Sequence, residues 1–327
     1  MNILIVKLSS LGDVVHAMPA VQDIRRALPH ALIAWVVERG FAPLVRRCPG
    51  VERVIECELR RWRKAPLSAA TRAEWRAFRT ELQAQPYDAV IDLQGLTKSA
   101  LVARTARLSP GGKRYALGNR TEGSSWEAPT RWAADVAVTI EPRIHAVQRS
   151  RVLCGAALGY SPGNDMLYGL VARAEQGPEA IKDVAPVVAL VHGTSREDKL
   201  WPEEHWIALG RRLLAQGLHV GLPHGSDAER ERSKRLASAL GLQAQVWPRL
   251  DLGALADRLA ACAGVIGVDS GLSHIAVALD RPHVQIYNHD TAWRTGPAQA
   301  RQRSVYAQPT PSVDAVWQAW QQARAAA

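Results

Sequence analysis

Short runs of β-branched and other apolar residues recur along the chain. They alternate with stretches whose apolar positions repeat every three to four residues. In the first half the runs cover 2–6, 31–37, 51–55, 88–93 and 135–140, and in the second 187–191, 219–222, 244–247, 265–268 and 284–287. Between them the period is helical. Val14, Met18, Val21 and Ile24 share one face, and so do Trp206, Leu209 and Leu213 within 203–216. Continuous apolar strands alternating with helices predict parallel sheets covered on both sides, and two such series predict two doubly wound α/β domains.

The expected domains are 1–160 and 187–310, joined by a linker over 161–186 that contains Ser161-Pro162-Gly163 and Gly177-Pro178. A terminal segment, 311–327, places Val313, Val316, Trp317 and Trp320 at helical spacing. Two tryptophans there call for a packing partner, and the first domain is one candidate. The segments 109–113, with Pro-Gly-Gly, and 121–130, with Gly-Ser-Ser, read as mobile loops. No short repeat marks a solenoid or propeller.

Composition narrows the class. The 327 residues are 47% apolar and 22% charged, which excludes disordered, collagenous and coiled-coil proteins. No apolar run approaches the ~18 residues of a membrane-spanning helix. The apolar start is too short for a signal peptide, so a cytoplasmic location is expected. Cys48, Cys57, Cys154 and Cys262 lack metal-ligand spacing and read as reduced and structural, with no zinc site.

Charge changes the picture more. Residues 1–160 carry 24 Lys+Arg against 14 Asp+Glu, whereas 161–327 carry 17 of each, so the whole surplus of +10 lies in the first half. One reading is a generally basic proteome. The other is an anionic partner on the first domain: a phosphorylated substrate, an acidic membrane surface or nucleic acid.

In open α/β sheets ligands gather at the carboxyl ends of the strands. The first such loop, Lys7-Leu8-Ser9-Ser10-Leu11-Gly12-Asp13, is neither a dinucleotide fingerprint nor a P-loop. It offers an amine, two hydroxyls, a glycine and a carboxylate at a helix start. Asp13 reads equally as a helix cap. The second loop runs from His192 to Pro202, with Thr194, Ser195, Arg196 and Lys199 before a helix, a set suited to phosphate oxygens. The alternative is a capped surface turn. In the third, Asp269-Ser270-Gly271-Leu272-Ser273-His274 exposes backbone N–H groups at a strand-to-helix turn. His274 also reads as a packed or capping histidine, and the spaced glycines of a hydrolase nucleophile elbow are missing. A fourth feature is Arg60-Arg61-Trp62-Arg63-Lys64, followed by Arg72, Arg76 and Arg79. The later arginines read as a solvated helix face, while the compact run fits phosphates, sugar carboxylates or lipid headgroups.

Taken together these segments resemble the lipopolysaccharide heptosyltransferases, glycosyltransferase family 9. The resemblance rests on Ile3 to Lys7 with Ser9 to Asp13, on Trp35-Val36-Val37-Glu38, on the Arg60–Lys64 run, and on Tyr87 to Asp92 with Gln94-Gly95-Leu96 and Lys98-Ser99-Ala100. In the second half it rests on Asp198-Lys199 with Trp201-Pro202-Glu203-Glu204-His205-Trp206, and on Asp269 to His274. It is stronger to the branch that adds the first heptose to the Kdo region of lipid A than to the heptosyltransferase II branch, because of Arg60–Lys64. It departs from the family at Asn288-His289-Asp290-Thr291, where members commonly carry a Gly-Pro-Thr-like segment.

The resemblance implies the GT-B fold, two Rossmann-like domains facing a central cleft. It implies inverting transfer from ADP-L-glycero-β-D-manno-heptose to a Kdo hydroxyl of Kdo2-lipid A, without metal or other cofactor. Asp13 would be the general base. Thr194, Ser195 and Lys199 would hold the diphosphate, with Lys199 also catalytic. Asp269, Ser270, Gly271 and His274 would line the donor site, and Glu229 would face the nucleoside. The acceptor would meet Lys7, Ser9, Ser10, Gly12, Arg60, Arg61, Arg63, Lys64, Lys98, Arg120 and Arg143. The enzyme is expected as a monomer, peripheral on the cytoplasmic face of the inner membrane, with no nucleic-acid partner. The rival classes are a non-catalytic nucleotide-sugar or nucleic-acid binding module and a dehydrogenase. The first gives Asp13 no purpose, and the second lacks its glycine fingerprint.

Overall fold

The computed structural model describes residues 1–173 and 185–326. Gly177-Pro178, expected within the linker, lies outside the described residues. The chain divides into two compact units, Met1–Leu170 and Val171–Ala327.

Each unit is built on a six-stranded parallel sheet. In the first, β1 (Asn2–Val6), β2 (Leu32–Glu38), β3 (Val51–Cys57), β4 (Tyr87–Asp92), β5 (Leu108–Leu117) and β6 (Val136–Val138) lie in the order β3-β2-β1-β4-β5-β6. In the second, β7 (Val187–Val191), β8 (His219–Leu222), β9 (Ala244–Val246), β10 (Gly264–Val268), β11 (His283–Tyr287) and β12 (Gln302–Tyr306) lie in the order β12-β11-β10-β7-β8-β9. Both orders reverse beside the unit's first strand, between β1 and β4 and between β7 and β10. At such switch points the loops leaving neighbouring strands diverge and open a crevice. Three of the four loops concerned are those singled out by their chemistry.

Strand continuity explains the core. Ile3, Leu4, Ile5 and Val6 are fully buried, as a strand covered on both faces requires. The helix Leu11–Ala27 lays Val14, Met18, Val21 and Ile24 inward. In the second unit, Trp206, Leu209 and Leu213 of the helix Glu203–Ala215 join Trp201, Leu236 and Trp320 in one cluster. Each fully buried side chain of this size contributes about 1.5–3 kcal/mol. The terminal helix Val313–Ala325 finds its packing partner in β11, β12 and the helix Glu203–Ala215 of its own unit. Trp320 lies so close to Gly264 that a side-chain carbon there would come within 2.5 Å of its ring.

One expectation is corrected. Residues 109–113 are not a loop but part of β5, where the pairing with β4 shifts register between Tyr87 and Ala89. Gly111 takes a positive φ of 79°, and a side chain at Gly112 would meet the Tyr87 carbonyl oxygen at 2.6 Å. The Pro-Gly-Gly sequence is thus a bulge device within the strand. β12 was not anticipated either, because Gln302–Tyr306 alternates in burial at a sheet edge and carries no apolar run. All four cysteines are unpaired and buried. No helix among the described residues is long and apolar enough to cross a membrane.

Candidate functional site

In the first unit the loop after β1 is fixed from β4. The Gln94 side-chain oxygen accepts from the backbone N–H groups of Leu8 and Ser9, each at 3.1 Å. The buried Lys7 ammonium donates to the Leu93 carbonyl at 2.9 Å. Burial pushes the Lys7 pKa down to about 8, against the pull of Asp13.

Asp13 sits in the first turn of the helix Leu11–Ala27 and divides its two oxygens. Oδ2 accepts from the Ser10 backbone N–H at 3.1 Å and from Ser10 Oγ at 2.8 Å, which is helix capping. Oδ1 faces two cations instead, Lys7 Nζ at 3.8 Å and the Arg149 guanidinium at 3.7 Å. The side chain keeps 35% exposure. Burial alone would raise its pKa, but Lys7, the Ser10 bonds and Arg149 outweigh that and hold the carboxyl below its ordinary value. The two sequence readings, cap and reactive carboxylate, are therefore compatible, one on each oxygen.

Around this group the structure gathers several predicted residues. Lys98 Nζ donates to Ser9 Oγ at 3.4 Å. Gly12 lies in the same helical turn as Asp13. Arg149 reaches Thr121 Oγ1 at 3.1 Å, which ties Asp13 to the 121–124 turn. On that turn Arg120 donates to the Ser124 carbonyl and Arg143 pairs with Glu122. Arg60 connects through its backbone N–H to Glu38. Arg61 is engaged by Glu58 and Glu74, while Arg63 and Lys64 are exposed. Trp62, within the same run, is not part of the exposed basic surface. It is buried against Trp75 and Phe78 and donates to Glu74. Arg72, Arg76 and Arg79 form an exposed face of the helix Ala69–Leu82.

In the second unit, β7 leads into His192, which is fully buried and shares a 2.8 Å hydrogen bond with Ser233 Oγ. Burial pushes its pKa down to about 4, so it is neutral at pH 7. Thr194 Oγ1 donates to the Asp269 carbonyl at 3.3 Å, and Ser195 is exposed beside it. Lys199 ends the short 3-10 turn Glu197–Lys199 and donates to Asp269 Oδ2 at 2.6 Å. The other oxygen, Oδ1, lies 3.5 Å from His274 Nε2 and accepts from Gln285 Nε2 at 3.3 Å. Burial would raise the Asp269 pKa, yet His274 and Lys199 hold it well below the usual carboxylate range.

Ser270 precedes the helix Gly271–Ala278 as its N-cap, and among the described residues its Oγ has no hydrogen-bond partner. The helix approaches β10 closely because Gly267 has no side chain; a carbon there would fall 2.3 Å from Ser273 Oγ. Glu229 spends Oε2 on the N–H groups of Gly225 and Ser226, capping the helix Asp227–Leu240, while Oε1 lies against Gly193. A diphosphate set against this face would find an ammonium, hydroxyls and helix N–H groups. Among the described residues no three His, Cys, Asp or Glu side chains are grouped as a metal site.

A family model for glycosyltransferase family 9 (heptosyltransferase) matches residues 75–319. The chain belongs to this family. It is 42% identical over 292 residues to lipopolysaccharide heptosyltransferase 1 of Escherichia coli K12, covering 88% of each chain. Its fold superposes on the E. coli heptosyltransferase WaaC solved with ADP at a TM-score of 0.87, with 36% identity over 99% of this chain and 100% of the other. The same enzyme solved with ADP-2-deoxy-2-fluoro heptose gives 0.82 and 37%, covering 97% and 98%. This family-9 chain is a glycosyltransferase, and its α/β architecture is the GT-B class expected from the sequence.

Three residues of this candidate site were not anticipated as site residues. Arg149 is distant in sequence from Asp13, and only the fold brings it there. Gln94 carried part of the resemblance without an assigned task. Gln285 is a buried polar position that interrupts the apolar run Val284–Tyr287, a signal legible in the sequence.

Proposed function

We propose that the chain transfers L-glycero-D-manno-heptose from ADP-heptose to a Kdo hydroxyl of Kdo2-lipid A, with inversion at the anomeric carbon. The observation that carries the reading is Asp13 Oδ1, an ionised, half-exposed carboxylate oxygen kept out of the helix cap. The identity to a heptosyltransferase 1 supplies the substrate class.

In this reading the acceptor O–H gives its proton to Asp13 Oδ1 as its oxygen bonds to the anomeric carbon. The bond from that carbon to the diphosphate breaks, and its electron pair leaves with ADP. A carboxylate with a lowered pKa is a weak base, which suits a proton that departs late, from an already electron-poor hydroxyl. Negative charge grows on the diphosphate as an oxocarbenium-like centre forms. Lys199, the Thr194 and Ser195 hydroxyls and the first turn of the helix Gly271–Ala278 stabilise that charge most when it is largest. ADP needs no protonation to leave, so one base suffices, and the reading asks for no metal. Asp269 and His274 set Lys199 and complete the donor side with Ser270 and Gly271, and Glu229 faces the nucleoside.

Lys7 and Ser9, expected from the sequence to touch the acceptor, are buried and instead support Asp13 and Lys98 from behind. Ser10, Gly12, Lys98, Arg120 and Arg143, with Arg60, Arg61, Arg63 and Lys64, take the phosphate- and carboxylate-rich acceptor. Their basic surplus supports peripheral attachment at the cytoplasmic face of the inner membrane. All these groups come from one chain, so a monomer suffices. The test is direct: purified protein with ADP-heptose and Kdo2-lipid A should yield ADP and a heptosylated lipid by mass spectrometry. Transfer only to a lipid already carrying one heptose would instead assign the second-heptose reaction.

A further inference from the structure

The segment after β11 makes contacts whose geometry is specific. Asn288 is buried, and its Nδ2 donates to the Asp198 carbonyl at 3.1 Å and to the Leu200 carbonyl at 2.9 Å. These are the carbonyls on either side of Lys199. Its Oδ1 accepts from Thr310 Oγ1 at 2.8 Å. Carbonyls only accept, so the amide can face them in one orientation alone. Three positions earlier, on β11, the fully buried Gln285 donates to Asp269 Oδ1 at 3.3 Å while Lys199 holds Oδ2.

We infer that Gln285 and Asn288 are positioning residues for the Lys199–Asp269 pair, Gln285 setting the rotation of the carboxylate and Asn288 the backbone that carries the lysine. This rests on the proposed phosphate role of Lys199 for its effect on turnover, but not for its effect on the lysine itself. A lysine has four flexible side-chain bonds, so its ammonium is placed only if its backbone is fixed and its partner cannot turn. The Glu197–Lys199 turn has little of its own to do this, being a single 3-10 turn. Asn288 clamps it on both sides, and Thr310 in turn orients Asn288. On the other side, a carboxylate held at both oxygens by different partners presents one face to the lysine. A misplacement of about 1 Å at such a group costs on the order of a hundredfold in rate.

The experiment compares wild type with Asn288→Ala, Asn288→Asp and Gln285→Met. Asn288→Asp keeps shape and the Thr310 bond but turns a carboxylate toward two carbonyls. Gln285→Met keeps volume without the donor. Two readouts are taken: the rate of reductive methylation of Lys199 in the ligand-free protein, by peptide mass spectrometry with Lys98 as internal reference, and kcat and KM for ADP-heptose. Lys199 methylation should rise severalfold in each variant while Lys98 is unchanged, kcat should fall about tenfold, and Asn288→Asp should be worse than Asn288→Ala. Lys199 methylation at the wild-type rate in the folded Asn288→Ala and Gln285→Met proteins overturns the inference, whatever Asn288→Asp does. Should wild type fail to turn over ADP-heptose, the functional reading falls, and the methylation rates still decide the positioning.

Discussion

Lys199 Nζ donates to Asp269 Oδ2 at 2.6 Å, and the opposite oxygen of the same carboxylate lies 3.5 Å from His274 Nε2. The buried carboxylate is thus engaged at both oxygens, and the lysine is presented rather than left to wander. Lys199→Ala should weaken ADP binding by tenfold or more and slow turnover by about a hundredfold. It should also cost about 2 kcal/mol of stability, because Asp269 loses its shortest hydrogen bond while His274 and Gln285 remain. Calorimetric titration with ADP checks the first point, and unchanged affinity would count against a phosphate role.

Arg149 makes a separable prediction about pH. Its guanidinium, with Lys7, favours the ionised form of Asp13 and lowers its pKa. A base must be ionised to accept a proton, so activity is lost as the pH falls through that pKa. Arg149→Met removes one cation, raises the Asp13 pKa and moves the acidic limb of kcat/KM to higher pH. An acidic limb that stays in place would separate Arg149 from the electrostatics of Asp13.

Asp92 links the same region to stability. Burial lifts its pKa to about 6, against bonds from Gln94, Ser99 and Gly95. A carboxyl raised above its unfolded value stabilises the fold fully below about pH 4 and loses that contribution as the pH rises through 6. Asp92→Asn keeps the shape and does not titrate. The difference in unfolding free energy between wild type and variant should therefore shift by about 2.4 kcal/mol in the variant's favour between pH 4 and pH 7. Urea unfolding at the two pH values tests this, and a constant difference would refute it.

Much of this was readable from the sequence, for reasons visible in particular residues. Ile3–Val6 and Val187–Val191 are apolar throughout because they are covered on both faces, and such runs declare themselves. The loops after β1, β7 and β10 were found because strand ends in parallel sheets are where polar groups converge. What stayed hidden depended on tertiary context. Pro110-Gly111-Gly112 punctuates the sequence like a loop, yet the close Tyr87 carbonyl makes it a bulge. Trp62 stands among arginines in the sequence, and its burial against Trp75 and Phe78 makes it core. Asp13 had two sequence readings, and only the separate partners of its oxygens reconciled them.

Gly267 tests the link between packing and site. A side-chain carbon there would fall 2.3 Å from Ser273 Oγ and 2.8 Å from Val191 Cβ, so Gly267→Ala must push the helix Gly271–Ala278 off β10. A loss of about 1–3 kcal/mol is expected, with weaker ADP binding because Ser270 and Gly271 move with the helix. Thermal melts with and without ADP measure both. A destabilised variant with normal ADP affinity would remove that helix start from the nucleotide site.

The most direct test of the central claim is ADP release from ADP-heptose, with and without Kdo2-lipid A, in wild type and Asp13→Ala. The account predicts acceptor-dependent release in wild type that falls by 10²–10⁴ in the variant, with ADP-heptose affinity nearly intact. Release at the wild-type rate by Asp13→Ala would contradict it, reducing Asp13 to the helix cap that its Oδ2 alone already explains.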